Sequence, residues 1–341
     1  MPPLLRALSG ERPETYPVWF MRQAGRSLPE YRRVRRGTGM LESCLIPDLA
    51  AEITLQPVRR HRVDAAIFFS DIMVPLRLAG VDVDIAAGVG PVIAEPVRTA
   101  SDVAALVAHD LRDVSMITEA IALIAAELAS TPSGAASWTP LIGFAGAPFT
   151  LAAYLVEGRP SRDHLAARRL MHADPRAWAR LMEWCADLSG AFLRVQVDAG
   201  ASAIQLFDSW AGSLTAEDYA AHVAPWSRRA LAAVEGRVPR LHFGTGTGHL
   251  LPLMVEGADA VGVDYRTSLA DAAALLPGVP LQGNIDPARL GSGWDALEAH
   301  TLEVLRRGRA APGHVVNLGH GVPPDTDPGI LTRLVELVHQ A

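Results

Sequence analysis

Tyr16-Pro17-Val18-Trp19-Phe20-Met21 is an apolar run of strand length that stops abruptly at Arg22. The same pattern, a short apolar run ending in a polar or glycine-rich turn, recurs along the chain. Residues 65–70 end in Asp71, 141–144 in the turn Ala145-Gly146-Ala147-Pro148, and 203–207 in Asp208-Ser209. Residues 241–243 end in Gly244, 260–263 in Asp264, 279–282 in Gly283-Asn284, and 315–318 in Gly319-His320. Helical periodicity marks the stretches between them: 47–60, 114–128, 175–198, 216–234, 294–307 and 328–338, after a short helix at 3–8. Asp174-Pro175, Thr215, Asp286-Pro287 and Asp327-Pro328 supply caps or first-turn prolines. Eight strands alternating with helices predict an α/β chain folded as one (β/α)8 barrel of the TIM type over residues 1–341. In such a barrel the active site lies at the C-terminal strand ends, where the polar residues just named fall. An open doubly wound sheet is the competing arrangement. Two stretches break the rhythm: 74–98, a hairpin-like excursion with Gly80, Gly88 and Pro91, and 130–137, a small-residue turn.

At 341 residues and 49% hydrophobic content the chain can bury a full core. No apolar run approaches the roughly 18–20 residues that a membrane helix needs, and the N-terminus lacks a signal-peptide core. A cytosolic protein with no membrane partner is expected. Cys44 and Cys185 stand far apart without a partner motif, so neither a disulfide nor a cysteine-rich zinc site is expected. Every one of the 31 basic Lys/Arg positions is arginine. With no side-chain amine there is no Schiff base, and lysine-dependent pyridoxal phosphate chemistry and a P-loop are excluded.

Arg22, Arg26, Arg32, Arg33, Arg35 and Arg36 fall within fifteen residues of a chain whose formal net charge is −6. A local cationic field in an acidic protein points to a site for a multiply anionic ligand rather than to a generally basic protein, and no nucleic-acid partner is expected; a solvated helix face is the plainer alternative. Arg22 and Arg26, four apart, would share one side of a helix or tight turn, and paired guanidinium forks grip carboxylates bidentately. Asp71, after Phe68-Phe69-Ser70, is either a cap for the next element or an anion held to stabilise a positive charge.

Six ordered motifs resemble those of the uroporphyrinogen decarboxylase family. They are Trp19-Phe20-Met21-Arg22-Gln23-Ala24-Gly25-Arg26-Ser27-Leu28-Pro29-Glu30-Tyr31, Phe69-Ser70-Asp71-Ile72, and Gly143-Phe144-Ala145-Gly146-Ala147-Pro148-Phe149-Thr150 with Tyr154-Leu155-Val156-Glu157-Gly158. The others are Gln205-Leu206-Phe207-Asp208-Ser209-Trp210-Ala211-Gly212, Leu281-Gln282-Gly283-Asn284-Ile285-Asp286-Pro287 and Asn317-Leu318-Gly319-His320-Gly321. The resemblance implies a decarboxylase without metal or other cofactor, likewise a homodimer, that turns the four acetates of uroporphyrinogen III into methyls and yields coproporphyrinogen III and CO2. A protonated pyrrole is its own electron sink, so the enzyme need only grip carboxylates and stabilise a cation. Carried over by position, Arg22, Gln23, Arg26 and Arg35 would hold substrate carboxylates. Asp71 would accept from the pyrrole N–H groups and balance the cation, and Tyr154, Ser209 and His320 would complete the polar contacts. Asp71, Arg22 and Tyr154 form the catalytic set. The proton donor is left open among Arg22, which counts as a poor acid because arginine side chains give up their protons with difficulty, water, a substrate carboxyl and His320. Ser27 stands where an aromatic is common, and Phe149 where Trp also occurs.

Several features are decoys. Gly244-Thr245-Gly246-Thr247-Gly248, with Asp264 further on, lacks the third glycine of a dinucleotide fingerprint, since position 249 is histidine. Methyltransferases of related fold bind zinc through His-x-Cys, but His242-Phe243 is followed here by Gly244. His109, His164 and His172 read as solvated histidines, and the Trp178/Trp184 spacing as packing. A tetrapyrrole binder without turnover would have no need of Asp71.

Overall fold

The computed structural model describes residues 1–129 and 138–341. The turn expected at 130–137 lies outside the described residues. Seven parallel strands form one sheet: β1 (Ala66–Ile67), β4 (Leu141–Gly146), β5 (Ala203–Asp208), β6 (Arg240–Gly244), β7 (Ala260–Gly262), β8 (Leu281–Gln282) and β9 (His314–Val315), paired in that order. The intervening β2 (Val83–Ala86) and β3 (Gly90–Ile93) are an antiparallel pair outside the sheet. β4 is buried at all six positions, as befits a parallel strand covered on both faces.

The expected first strand is reduced to one bridging residue. Val18 pairs in parallel with Val316, through the Val316 N–H to Pro17 O at 2.8 Å and the Trp19 N–H to Val316 O at 3.2 Å. On its other side the Asp64 N–H donates to Val18 O at 2.8 Å. Val18 thus joins the two edges of the curled sheet, closing the ring expected of a barrel and excluding the open sheet. Helices alternate with the strands, and their apolar faces pack against it, with Trp178, Phe149 and Phe192 among the fully buried side chains.

Helix Pro175–Asp198 matches its expected bounds, and Trp178 and Trp184 on it are buried. Asp174, Thr215, Asp286 and Asp327 all accept a backbone N–H at their helix starts. The helix expected over 216–234 is two, Ala216–His222 and Ala224–Ala232. Pro225 has no N–H to continue the first, and Val223 turns away at φ −130°. The excursion at 74–98 opens with helix Val74–Leu78 and then forms the expected hairpin, turning through Gly88 at φ +76°. Its far arm is tied to helix Pro148–Glu157 by the Ile93 N–H to Gly158 O and the Val97 N–H to Leu155 O. Among the described residues no helix is long and apolar enough to cross a membrane.

Candidate active site

Arg22 follows the ring-closing strand in a left-handed conformation, φ +63°. Arg22 and Arg26 therefore sit on a tight turn and not on a helix. The turn is tied to the barrel by buried polar groups. Gln23 is fully buried; its Oε1 accepts from the Phe20 N–H at 2.9 Å and its Nε2 donates to Ala65 O at 3.0 Å. Met21 N–H donates to Asn317 Oδ1 at 3.0 Å, and the Val322 N–H to Met21 O at 2.8 Å. Below it, Trp19 Nε1 donates to Gln282 Oε1, and Gln282 Nε2 to Gln205 Oε1, at 3.0 and 2.8 Å. Gln23, expected to help hold substrate carboxylates, has its amide oxygen and nitrogen both engaged within the barrel and its side chain fully buried.

The Arg22 side chain lies across Gly321, where a Cβ would come 2.4 Å from Arg22 Cδ. Its charge reaches three of the expected site residues. Asp71, half-buried after β1, has its pKa raised by desolvation, against which the Met73 N–H and Arg22 act. Asp71 Oδ1 accepts from the Met73 N–H at 2.9 Å. No hydrogen bond among the described residues engages its Oδ2, so the cap reading accounts for one oxygen and leaves the other. Tyr154, on helix Pro148–Glu157, is buried; desolvation and Asp71 push its hydroxyl up to about 12, with Arg22 opposing. His320 keeps an exposed edge, yet desolvation lowers its pKa, assisted by Arg22 and Arg266. Arg22, Asp71, Tyr154 and His320 thus form one electrostatic group at the C-terminal strand ends.

Arg26 and Arg35 line an open cavity of about 420 Å³ with Tyr31, Arg32, Arg36 and Pro324. Arg35 stands over the Tyr31 ring at 5.3 Å, and Tyr31 meets Phe69 edge-on at 5.8 Å. The buried Cys44 thiol, pushed well up by desolvation, feels both Asp71 and Arg35. The arginine cavity and Asp71 are therefore neighbours. Ser209 is half-exposed after β5, and its carbonyl accepts from Thr245 Oγ1 at 2.5 Å. Ser27 is buried with its hydroxyl unpaired among the described residues, and Phe149 is fully buried.

Three further residues adjoin the group without having been assigned a place in it from the sequence, although Trp210 lies within the motif at 205–212. Trp210 stacks on Tyr154 with ring centroids 3.7 Å apart, and His164 packs on Trp210 at 4.4 Å. The expectation of a solvated His164 is corrected: it is 4% exposed, at the N-cap of helix Leu165–Ala173. Arg266 pairs with the buried Asp264 at 2.6 Å beside His320. Asp264 Oδ2 also accepts from the Gly246 N–H, so the glycine-rich decoy is a strand-to-helix loop braced by that carboxylate. At Gly244 a Cβ would come 2.5 Å from Thr247 Cγ2, so the cysteine of the zinc pattern has no space there without rearrangement.

The profile of the uroporphyrinogen decarboxylase family (URO-D) matches residues 1–341. Curated uroporphyrinogen decarboxylases from Leifsonia xyli and from an Arthrobacter species are each 62% identical, covering 98% and 99% of this chain and 93% and 96% of their own length. One from Saccharopolyspora erythraea is 58% identical over 99% of this chain and 94% of its own. Among solved structures, a methyltransferase from Methanosarcina mazei superposes with a TM-score of 0.78, 18% identity and coverage of 99% and 97%. A B12-independent methionine synthase from Shewanella gives a TM-score of 0.57 at 12% identity and 88% coverage of each chain. Both speak for the barrel fold alone.

Proposed function

We infer that this chain, which belongs to the uroporphyrinogen decarboxylase family, is a carboxy-lyase that decarboxylates uroporphyrinogen in porphyrin and haem biosynthesis. In finer detail, the substrate is uroporphyrinogen III and all four acetates become methyls, giving coproporphyrinogen III. Protonation of a pyrrole carbon creates a cation; the bond to the carboxylate then breaks, and its electron pair neutralises the ring and leaves an exocyclic methylene. A proton adds to that methylene to make the methyl, and the ring carbon gives up the proton it had gained, so one proton is consumed for each CO2 released. Arg22, Arg26 and Arg35 grip carboxylates, which suits guanidinium forks at an open mouth. Asp71 meets the ring nitrogens and stabilises the cation. Tyr154, Ser209 and His320 complete the contacts, Gln23 holds the turn, and Asp71, Arg22 and Tyr154 carry the catalysis. The working unit is a homodimer in the cytosol, by likeness to the family.

The observation that carries the residue assignment is Asp71 itself. It is a desolvated carboxylate beside Arg22 whose second oxygen has no partner among the described residues. Such a preorganised charge is worth most where charge develops in a site shielded from water. The test is anaerobic incubation of the purified protein with uroporphyrinogen III and chromatography of the oxidised products. Porphyrins with seven, six, five and finally four carboxylates are expected. Binding without loss of carboxylate would overturn the reading.

A further inference from the structure

We propose that His172, Asp218 and His222 form a binding site for a late first-row divalent cation, with Zn2+ as the fitting ion. One ligand atom from each lies within 4.8 Å of the other two. His172 stands near the C-terminal end of helix Leu165–Ala173; Asp218 and His222, four residues apart, share one face of helix Ala216–His222. His172 Nε2 is 3.4 Å from Asp218 Oδ2. That is close to the separation, about 3.4 Å, of two ligands each about 2.1 Å from a tetrahedral metal. Two imidazoles and one carboxylate suit zinc, copper or nickel; magnesium and calcium prefer an all-oxygen shell.

An ordinary surface ion pair explains His172 and Asp218 but not the convergence of His222, whose ring centroid is 5.9 Å from that of His172. Two of the ligands stand on a backbone that is already held. The Asp218 N–H donates to Thr215 Oγ1, and Trp178 Nε1 donates to His222 O at 3.3 Å. Between them Tyr219 is fully buried, its hydroxyl 3.4 Å from Asp208 Oδ2. His172 is exposed, so its ring can adjust to close the shell without a backbone shift.

None of the three belongs to the group around Asp71, so the cation has no part in decarboxylation. Its place is at a seam. The two helices it bridges grow from segments that already meet through His164 Nδ1 and Ser213 Oγ at 2.9 Å, next to the Trp210 ring that backs Tyr154. A bound ion is a clamp across that seam.

The test uses the full chain, stripped with a chelator and titrated with ZnCl2 by calorimetry and by thermal unfolding. One Zn2+ per chain is expected, with a midpoint that rises with Zn2+ and does not respond to equal Mg2+. His172→Ala, at an exposed position, and His222→Ala should each weaken Zn2+ binding by about tenfold or more, and the pair should remove the thermal shift. Circular dichroism of each variant separates loss of ligand from loss of fold. Undiminished Zn2+ affinity in a folded double variant, an equal response to Mg2+, or no stoichiometric binding to the unaltered chain would each overturn the proposal.

Discussion

Asp71 and Arg22 divide the chemistry at the scale of single residues. A charge that acts on a transient cation lowers the barrier more than it tightens the ground state. Asp71→Asn is therefore expected to lower kcat about 10²–10³-fold while changing substrate affinity far less. Equal losses in turnover and binding would make Asp71 a gripping residue only. The direction of its pKa gives a second readout. Burial raises the Asp71 pKa, so the anion that the reaction needs is lost, as pH falls, at a higher pH than for an ordinary carboxyl. The acid limb of kcat/KM should accordingly lie above the usual carboxylate range, near 3.8. Gly321→Ala tests the seat of Arg22: the new methyl would meet Arg22 Cδ at 2.4 Å and displace the guanidinium. Turnover should drop by about tenfold or more with little change in thermal midpoint, since a misplacement of this size is costly in catalysis. The charged members of this site could be read from motif order. The left-handed φ of Arg22 and the stack of Trp210 on Tyr154 could not, because nothing in the residue types fixes a backbone angle or a ring contact across 56 residues.

Among the elements, the turn after the first strand owes its shape to a single amide. Gln23→Met keeps the volume but leaves the Phe20 N–H and the Ala65 carbonyl buried without partners. A cost of about 2–4 kcal/mol is expected in denaturant unfolding. A loss near zero would mean that water replaces the amide. Gln23 entered as a substrate contact through the family resemblance of its motif; only the fold shows that its side chain faces inward. Strand cores and helix starts were legible wherever the period or cap was local, as at Asp174-Pro175 and Asp327-Pro328. Legibility failed where tertiary contacts decide. Val18 is extended like a strand but bridges at one residue, and the split at Val223 follows from Pro225, a breaker inside an otherwise continuous helical pattern. The expected hairpin acquired its purpose only in three dimensions, by bracing the helix that bears Tyr154.

For the molecule as a whole, acid is the weak side. Burial holds His61 and His314 neutral, with pKa values pushed from 6.5 down to about 4. The unfolded chain takes up these protons near pH 6.5 while the folded one resists until about 4. Their contribution is complete above pH 6.5 and declines as pH falls towards 4, by roughly 3 kcal/mol per histidine. His339 runs the other way: its bond to Asp64 at 2.8 Å raises its pKa, so that pair contributes fully below pH 6.5 and is lost as pH rises through the raised value. Denaturant unfolding at stepped pH should show a steep acid slope that His61→Gln makes shallower. An unchanged slope would mean that His61 is not held neutral. The ring itself has a further bearing on how the protein is made. Val18 is sealed by Val316, Met21 by Asn317 and Val322, and Arg22 rests against Gly321. The arginine leaves the ribosome long before its seat at Gly321 is translated. A nascent chain thus carries an unaimed cation until residues 316–322 emerge, and a premature stop codon just before them would release a protein whose barrel is unsealed and whose substrate grip was never set.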